Sequence, residues 1–194
     1  PSIELCLGLE PTIVGTEGSD NLVGTPDGDV IVALAGDDTI DGGGGDDVIC
    51  AGAGNDVVDG GDGNDLVVGG SGSDDITGGE GTDSLLGEGG SDTLRGGPGQ
   101  DEVDGGADAD NLFGEAGADW VAGGDGDDTL DGGEGDDALD GGEGSDELTG
   151  GDGDDRCRNG ETLADCEADT TVTPGLGAPT VDLEPAPPAG TCLL

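Results

Sequence analysis

An aspartate recurs at every ninth residue over about three quarters of this 194-residue chain: Asp20, Asp29, Asp38, Asp47, Asp56, Asp65, Asp74, Asp83, Asp92, Asp101, Asp110, Asp119, Asp128, Asp137, Asp146 and Asp155. Carboxylates in such a column can cap turns, work in acid–base pairs, or hold a cation. Turn capping accepts Asn and Ser as well as Asp, and neither occurs in the column. Two-carboxylate catalysis needs one distinct pair in a pocket, whereas each acid here is one copy of a repeat, so an enzyme is not expected. If the copies stack, the carboxylates line up and repel one another. A hard divalent cation between successive copies removes that repulsion, and calcium takes about 6–8 oxygens from carboxylates and backbone carbonyls. The thiolate and imidazole ligands of softer metals are missing from the column.

The elements that must position these acids follow from the neighbouring columns. Rows of nine from Gly15 to Arg158 give sixteen repeats without insertion or deletion. Position six is the aspartate, and position eight is Leu, Ile or Val until Cys157 in the last row. Position one is Gly except at Ala33 and Ala51, and position four is Gly except at Asp27 and Asp108. Glycines at positions one, two and four suit a tight turn. Positions seven to nine read as a short extended piece with one inward aliphatic. Three residues make no stable strand alone, so the copies must stack at the strand spacing of about 4.7–4.9 Å and share a core. The unit is turn, strand, turn, strand.

Composition excludes several function classes. The net charge is −45, from 48 acidic residues and three arginines, with no Lys, His, Met or Tyr. Nucleic-acid phosphates would be repelled, catalysis through His, Lys or Tyr is impossible, and no apolar run is long enough to span a bilayer. Leu, Ile, Val and Phe make up just under a fifth of the residues, against 47 glycines. Without the periodicity, that balance describes a disordered chain. The alternative function is therefore a disordered acidic polyanion serving as a low-affinity calcium buffer or mineral-surface binder. An ice-binding face is not expected, because positions seven and nine carry no regular Thr ladder.

The nonapeptides, such as Gly60-Gly61-Asp62-Gly63-Asn64-Asp65-Leu66-Val67-Val68, resemble the RTX (repeats-in-toxin, haemolysin-type) calcium-binding family. The resemblance implies an all-β fold, a right-handed parallel β-roll (β-solenoid) with two nonapeptide repeats per coil and about eight coils. It also implies Ca²⁺ between turns one coil apart. The aspartates then fall into two ladders, one from Asp20 to Asp146 and one from Asp29 to Asp155, each taking every second repeat. By the family pattern one ion takes the carbonyls of Gly60 and Asp62, the carbonyls of Gly79 and Gly81, and the carboxylates of Asp65 and Asp83. Seven gaps in each ladder give at most about 14 ions, for eight aspartates per ladder. Thr16, Thr25 and Leu34 replace the second glycine at the start, and Glu88 and Glu115 do so later. Weaker or empty sites are expected in rows one to three.

The chain divides into an N-terminal capping segment (1–14), the repeat region (15–158), a C-terminal cap (159–167) and a flexible Pro-rich tail (168–194). Cys50, at an outward position nine, shares its face with Val30, Val32, Val48, Leu66 and Val68. A Cys6–Cys50 disulfide would lay Ile3, Leu5, Leu7 and Leu9 over that stripe as a cap; a partner-binding patch is the other reading. Cys166 falls where the next inward residue after Cys157 would stand, so a second disulfide would close the last coil. Cys192 is left over. Phe113 and Trp120, the only aromatics, suit surface packing or a sugar-stacking platform. Disulfides and a calcium-rich setting both belong outside the cell, so the expected context is a secreted or cell-surface bacterial protein. The chain shows no signal peptide or initiator Met and reads as a mature or excised piece. The expected function is a monomeric calcium-binding module that folds on Ca²⁺ and acts as a structural spacer, cell-surface or exoprotein domain, with calcium ions and a protein or cell-surface partner.

Overall fold

One aliphatic in every nine residues suffices for a core only if the copies register, and in the computed structural model they do. The structure describes residues 6–160 and 162–168. Among these, nineteen strands and no helix run from β1 (Ile13–Val14) to β19 (Glu167–Ala168). Odd-numbered strands form a ten-stranded sheet and even-numbered strands a nine-stranded one, all pairs parallel. Consecutive strands thus alternate between two facing sheets, which makes the chain an all-β parallel β-roll.

Each strand of the roll pairs with the strand two repeats on. In one sheet Val58 pairs with Ile76, and the column continues through Leu94, Leu112, Leu130 and Leu148; in the other Ile49 leads to Val67, Leu85, Val103, Val121 and Leu139. These columns form one buried core cluster. Side-chain alternation along each strand puts position eight inward and positions seven and nine outward.

The strands are longer than the three residues read from the sequence. Most have six, as in Val57–Asp62 and Asp75–Glu80, and include positions one to three of the next repeat. Pairing skips position one and resumes, as Asp59↔Thr77 and then Gly61↔Gly79 show. The glycines therefore bend a strand that continues through them. Gly61 and Gly79 take φ of 105° and 113°, open to glycine at little cost.

Both disulfides are present, Cys6–Cys50 and Cys157–Cys166. Cys6 and Cys50 are buried with Val32 and Val68 in a satellite cluster against Val30, Leu34 and Val48. The wider cap expected over that stripe differs in the described residues: Leu7 is 57% and Leu9 46% exposed, so Cys6 supplies the cover. Ile3 and Leu5 lie outside the described residues, as do Cys192 and all but the first residue of the Pro-rich tail. Phe113 and Trp120 belong to strands of different sheets and share no stacking platform. The Arg95 guanidinium lies 5.5 Å from the Phe113 ring centre and pairs with Asp75 at 2.7 Å.

The core column sets the cost of a truncation. Leu94→Ala, at a fully buried position, should destabilise the calcium-loaded protein by about 2–5 kcal/mol in equilibrium denaturation. Leu163→Ala, at a 43% exposed site, should cost much less. Equal effects would contradict the shared core.

Candidate metal centre

Turns between the sheets bury the aspartate column. From Asp38 onward every ladder aspartate is at most 3% exposed. From Asp20 to Asp137 each main-chain N–H in the column donates to the Oδ1 of the aspartate one coil ahead, as from Asp65 to Asp83 and from Asp83 to Asp101, both at 2.8 Å. That contact fixes the carboxylate and leaves Oδ2. For every ninth residue from Asp38 to Asp137, and for Asp155, Oδ2 is buried without a hydrogen-bond partner. Such a group costs several kcal/mol as a bare anion unless a charge compensates it.

Main-chain oxygens face the same place. A β-carbon on Gly60 would lie 2.6 Å from Asp65 Oδ2 and 2.5 Å from the Gly78 carbonyl of the next coil. On Gly78 it would lie 2.5 Å from Asp83 Oδ2 and 2.7 Å from the Gly96 carbonyl. The missing side chain at position one leaves an oxygen-lined cradle. Among the described residues no three His, Cys, Asp or Glu side chains converge, so a cation here takes most of its ligands from the main chain. Calcium accepts that mixture.

The expected ligand set is only partly brought together. Asp65 and Asp83 face one another across a single gap. The four carbonyls do not share it. Gly60 and Asp62 point back, toward Gly42 and to the Gly45 N–H at 2.7 Å, while Gly79 and Gly81 point forward to Gly97 and Gly99. Carbonyls at positions one and three look toward the preceding coil and those at two and four toward the following one. Within the gap the facing carbonyls are therefore those of Gly61, Gly63, Gly78 and Glu80. Carbonyl direction alternates along a strand, and the aspartate spacing alone carries no sign of which coil each oxygen faces.

The start of the roll is different. Thr16 donates to Asp20 Oδ2 through its N–H at 2.6 Å and its hydroxyl at 2.9 Å. Thr25 does the same to Asp29 Oδ2 at 2.8 and 2.9 Å. Neither threonine takes positive φ, whereas Leu34, Glu88 and Glu115 do, at 84°, 69° and 74°. A β-branched residue avoids that region, and the peptide it adopts instead turns its N–H onto the carboxylate. The weakness expected in rows one to three thus has a structural counterpart in rows one and two, while row three keeps an unpartnered Asp38 Oδ2. A second, exposed ladder at position five escaped the column reading: Asn55 N–H donates to Asp37 and Ser73 N–H to Asn55, at 2.9 and 2.8 Å. Polar residues recurring two repeats apart were its signal.

Electrostatics follow these partners. Burial first, then neighbouring ladder carboxylates, raises Asp74 and Asp110 to about 7 and Asp47, Asp83, Asp101 and Asp119 to about 6. Asp29 moves the other way, because the hydroxyls of Thr12 and Thr25 and the Thr25 N–H stabilise its charge.

A parallel β-roll lined by repeating, uncompensated carboxylates and inward carbonyls defines a calcium-binding repeat protein. Overlapping matches to the family model described as RTX calcium-binding nonapeptide repeat (4 copies) cover residues 14–49, 23–58, 47–76, 59–94, 77–112, 86–121, 104–139 and 131–161. The chain belongs to that family. No curated protein matches it significantly. Among the described residues no helix is long and apolar enough to cross a membrane.

Two predictions test the cradle and its charge. Gly78→Ala, which would crowd Asp83 Oδ2 and the Gly96 carbonyl, should lower the number of bound calcium ions in equilibrium dialysis. Gly89→Ala, with no heavy atom nearer than 4.0 Å, should not. With calcium chelated, ladder acids whose folded pKa is raised stabilise the roll below the unfolded value near 3.8. That stability is lost as pH rises through about 6 to 7. The far-UV β signal in chelator should therefore fade over that interval; a signal that grows with pH would refute the assignment.

Proposed function

We propose that this chain is an extracellular calcium-dependent module that acquires its rod-like fold when Ca²⁺ enters the gaps between coils, and that it serves as a structural spacer or surface-exposed domain. The observation that carries the reading is the buried, unpartnered Oδ2 repeated along both ladders. An ion in the gap between residues 60–65 and 78–83 would draw on the carboxylates of Asp65 and Asp83 and on the carbonyls of Gly61, Gly63, Gly78 and Glu80. Calcium would supply the positive charge that the stack lacks. Because metal binds the folded form, its binding free energy is folding free energy.

The role proposed is mechanical rather than catalytic, since the ladder carboxylates are accounted for by repeat geometry. Two disulfides support an oxidising compartment, where calcium is high enough for sites of about 10⁻⁴–10⁻³ M affinity.

A calcium titration followed by far-UV circular dichroism tests this. The β signal should rise cooperatively with calcium, stay low with magnesium, and revert with chelator. Asp83→Ala with Asp101→Ala, two successive residues of one ladder, should raise the calcium midpoint and lower the ion count. Bound calcium without structural gain would favour the polyanion buffer instead.

A further inference from the structure

The two ends of the ladders are built differently, and the difference reassigns where the terminal ions go. We propose that the C-terminal cap completes a calcium site on Asp155, and that the gaps opening on Asp20 and Asp29 hold no ion. The inference rests on the calcium reading above and goes beyond the repeat pattern, because Asp155 belongs to the sixteenth and last repeat. Counting gaps between repeats gives Asp155 no coil ahead of it. The structure supplies one from outside the repeats.

Asp155 is 1% exposed. Its Oδ1 accepts the Asp137 N–H at 2.9 Å, as in the interior coils. Its Oδ2 is buried and without a hydrogen-bond partner. A β-carbon on Gly150 would lie 2.6 Å from that Oδ2, with the carbonyl oxygen of Asp165 facing the same point. This is the arrangement of Asp65 Oδ2 with the Gly78 carbonyl around Gly60. In an interior coil the facing carbonyl comes from the position-one glycine two repeats on. Here it comes from Asp165, a residue outside the repeats that stands nearer in sequence.

The cap reaches that point by contraction. Strand Glu147–Asp152 pairs with Thr162–Ala164 in the register Glu147↔Thr162, and Arg156–Arg158 pairs with Glu167–Ala168 in the register Arg156↔Glu167. Both registers fall short of the full two-repeat step that joins Thr129 to Glu147 in the coil before. The Cys157–Cys166 disulfide ties the shortened coil to the core column. Asp165, beside that disulfide, takes φ of 52°, a left-handed conformation that Asp tolerates better than most residues.

At the other end the same cradle exists and is filled by protons. A β-carbon on Gly15 would lie 2.6 Å from the Ala33 carbonyl and 2.9 Å from Asp20 Oδ2. The Thr16 N–H and hydroxyl already point at that Oδ2, and those of Thr25 at Asp29 Oδ2. Two donors aimed at an oxygen exclude a cation from the same lone pairs. Thr12 closes the remaining side, donating its hydroxyl to Asp29 Oδ1 at 2.7 Å. The first coil is neutralised by hydrogen bonds, and the last by a metal held partly by the cap.

The test counts calcium ions on the full chain by native mass spectrometry with equilibrium dialysis. Asp155→Asn keeps an acceptor for the Asp137 N–H and removes the anionic charge; it should lose the cap ion and weaken the one that Asp155 shares with Asp137. Asp165→Pro cannot adopt positive φ and re-aims the carbonyl while sparing Asp155, so it too should lose one. It also answers the question if the first variant does not fold. Asp29→Asn should leave the count unchanged. An unchanged count in Asp165→Pro, with Asp83→Asn still losing ions, overturns the cap site but not the ladder. Loss of an ion in Asp29→Asn overturns the metal-free first coil. An unchanged count in Asp83→Asn would instead sink the ladder reading itself.

Discussion

Everything in this fold answers to one constraint: from the second half-coil on, a carboxylate is buried at the same place in each, directly behind another of its kind. From Asp38 onward each carboxylate spends Oδ1 on the N–H of the coil behind it, which holds the stack in register. Oδ2 must then be neutralised by something the interior repeats do not contain. Lysine and histidine are absent from the chain, and the three arginines lie at positions seven and nine, off the ladders. Glycine at position one in fourteen of the sixteen repeats leaves no methyl between the carboxylate and the facing carbonyl, and only Ala33 and Ala51 place one there. The aliphatic column is sparse for the same reason: the core stays narrow because the turns on either side are occupied by the oxygen-lined gaps.

Much of this was legible in the residues. The unbroken nine-residue period set the number of coils, and the constancy of Asp against variable neighbours marked the column that the structure buries. The outward Cys50 beside Val32 and Val68 pointed to the N-terminal disulfide. Column statistics could not show that strands run on through the glycines, because glycine signals a turn locally while the parallel ladder of a neighbouring coil overrides it. Nor could they show which way each carbonyl faces. The column also treats Thr16 and Leu34 as equal departures from glycine. In the structure Leu34 keeps the left-handed turn and Thr16 does not, and only the threonine brings a hydroxyl to the carboxylate.

The solenoid's ends solve different problems with different chemistry. The beginning must stop the column of carboxylates without a preceding coil, and it does so with hydroxyls, a disulfide and a short paired strand at Ile13–Val14. The finish must cover the last core residues, and it uses a contracted coil pinned by the Cys157–Cys166 disulfide. The expected stripe-covering segment is represented among the described residues by Cys6 alone, with Leu7 and Leu9 turned to solvent. A single buried disulfide in contact with valines is enough to close that small satellite core.

The two-repeat step between paired strands also governs how such a molecule can change size. A single repeat is not a whole coil: inserting one would send every later strand to the opposite sheet. The strand bearing Cys157 would cross over, and the shortened closing coil would meet the wrong ladder. Lengthening or shortening by pairs of repeats leaves both ends in their places. The repeat that the eye reads in the sequence is therefore half of the unit by which the rod can grow, and inheritance of length is quantised in coils.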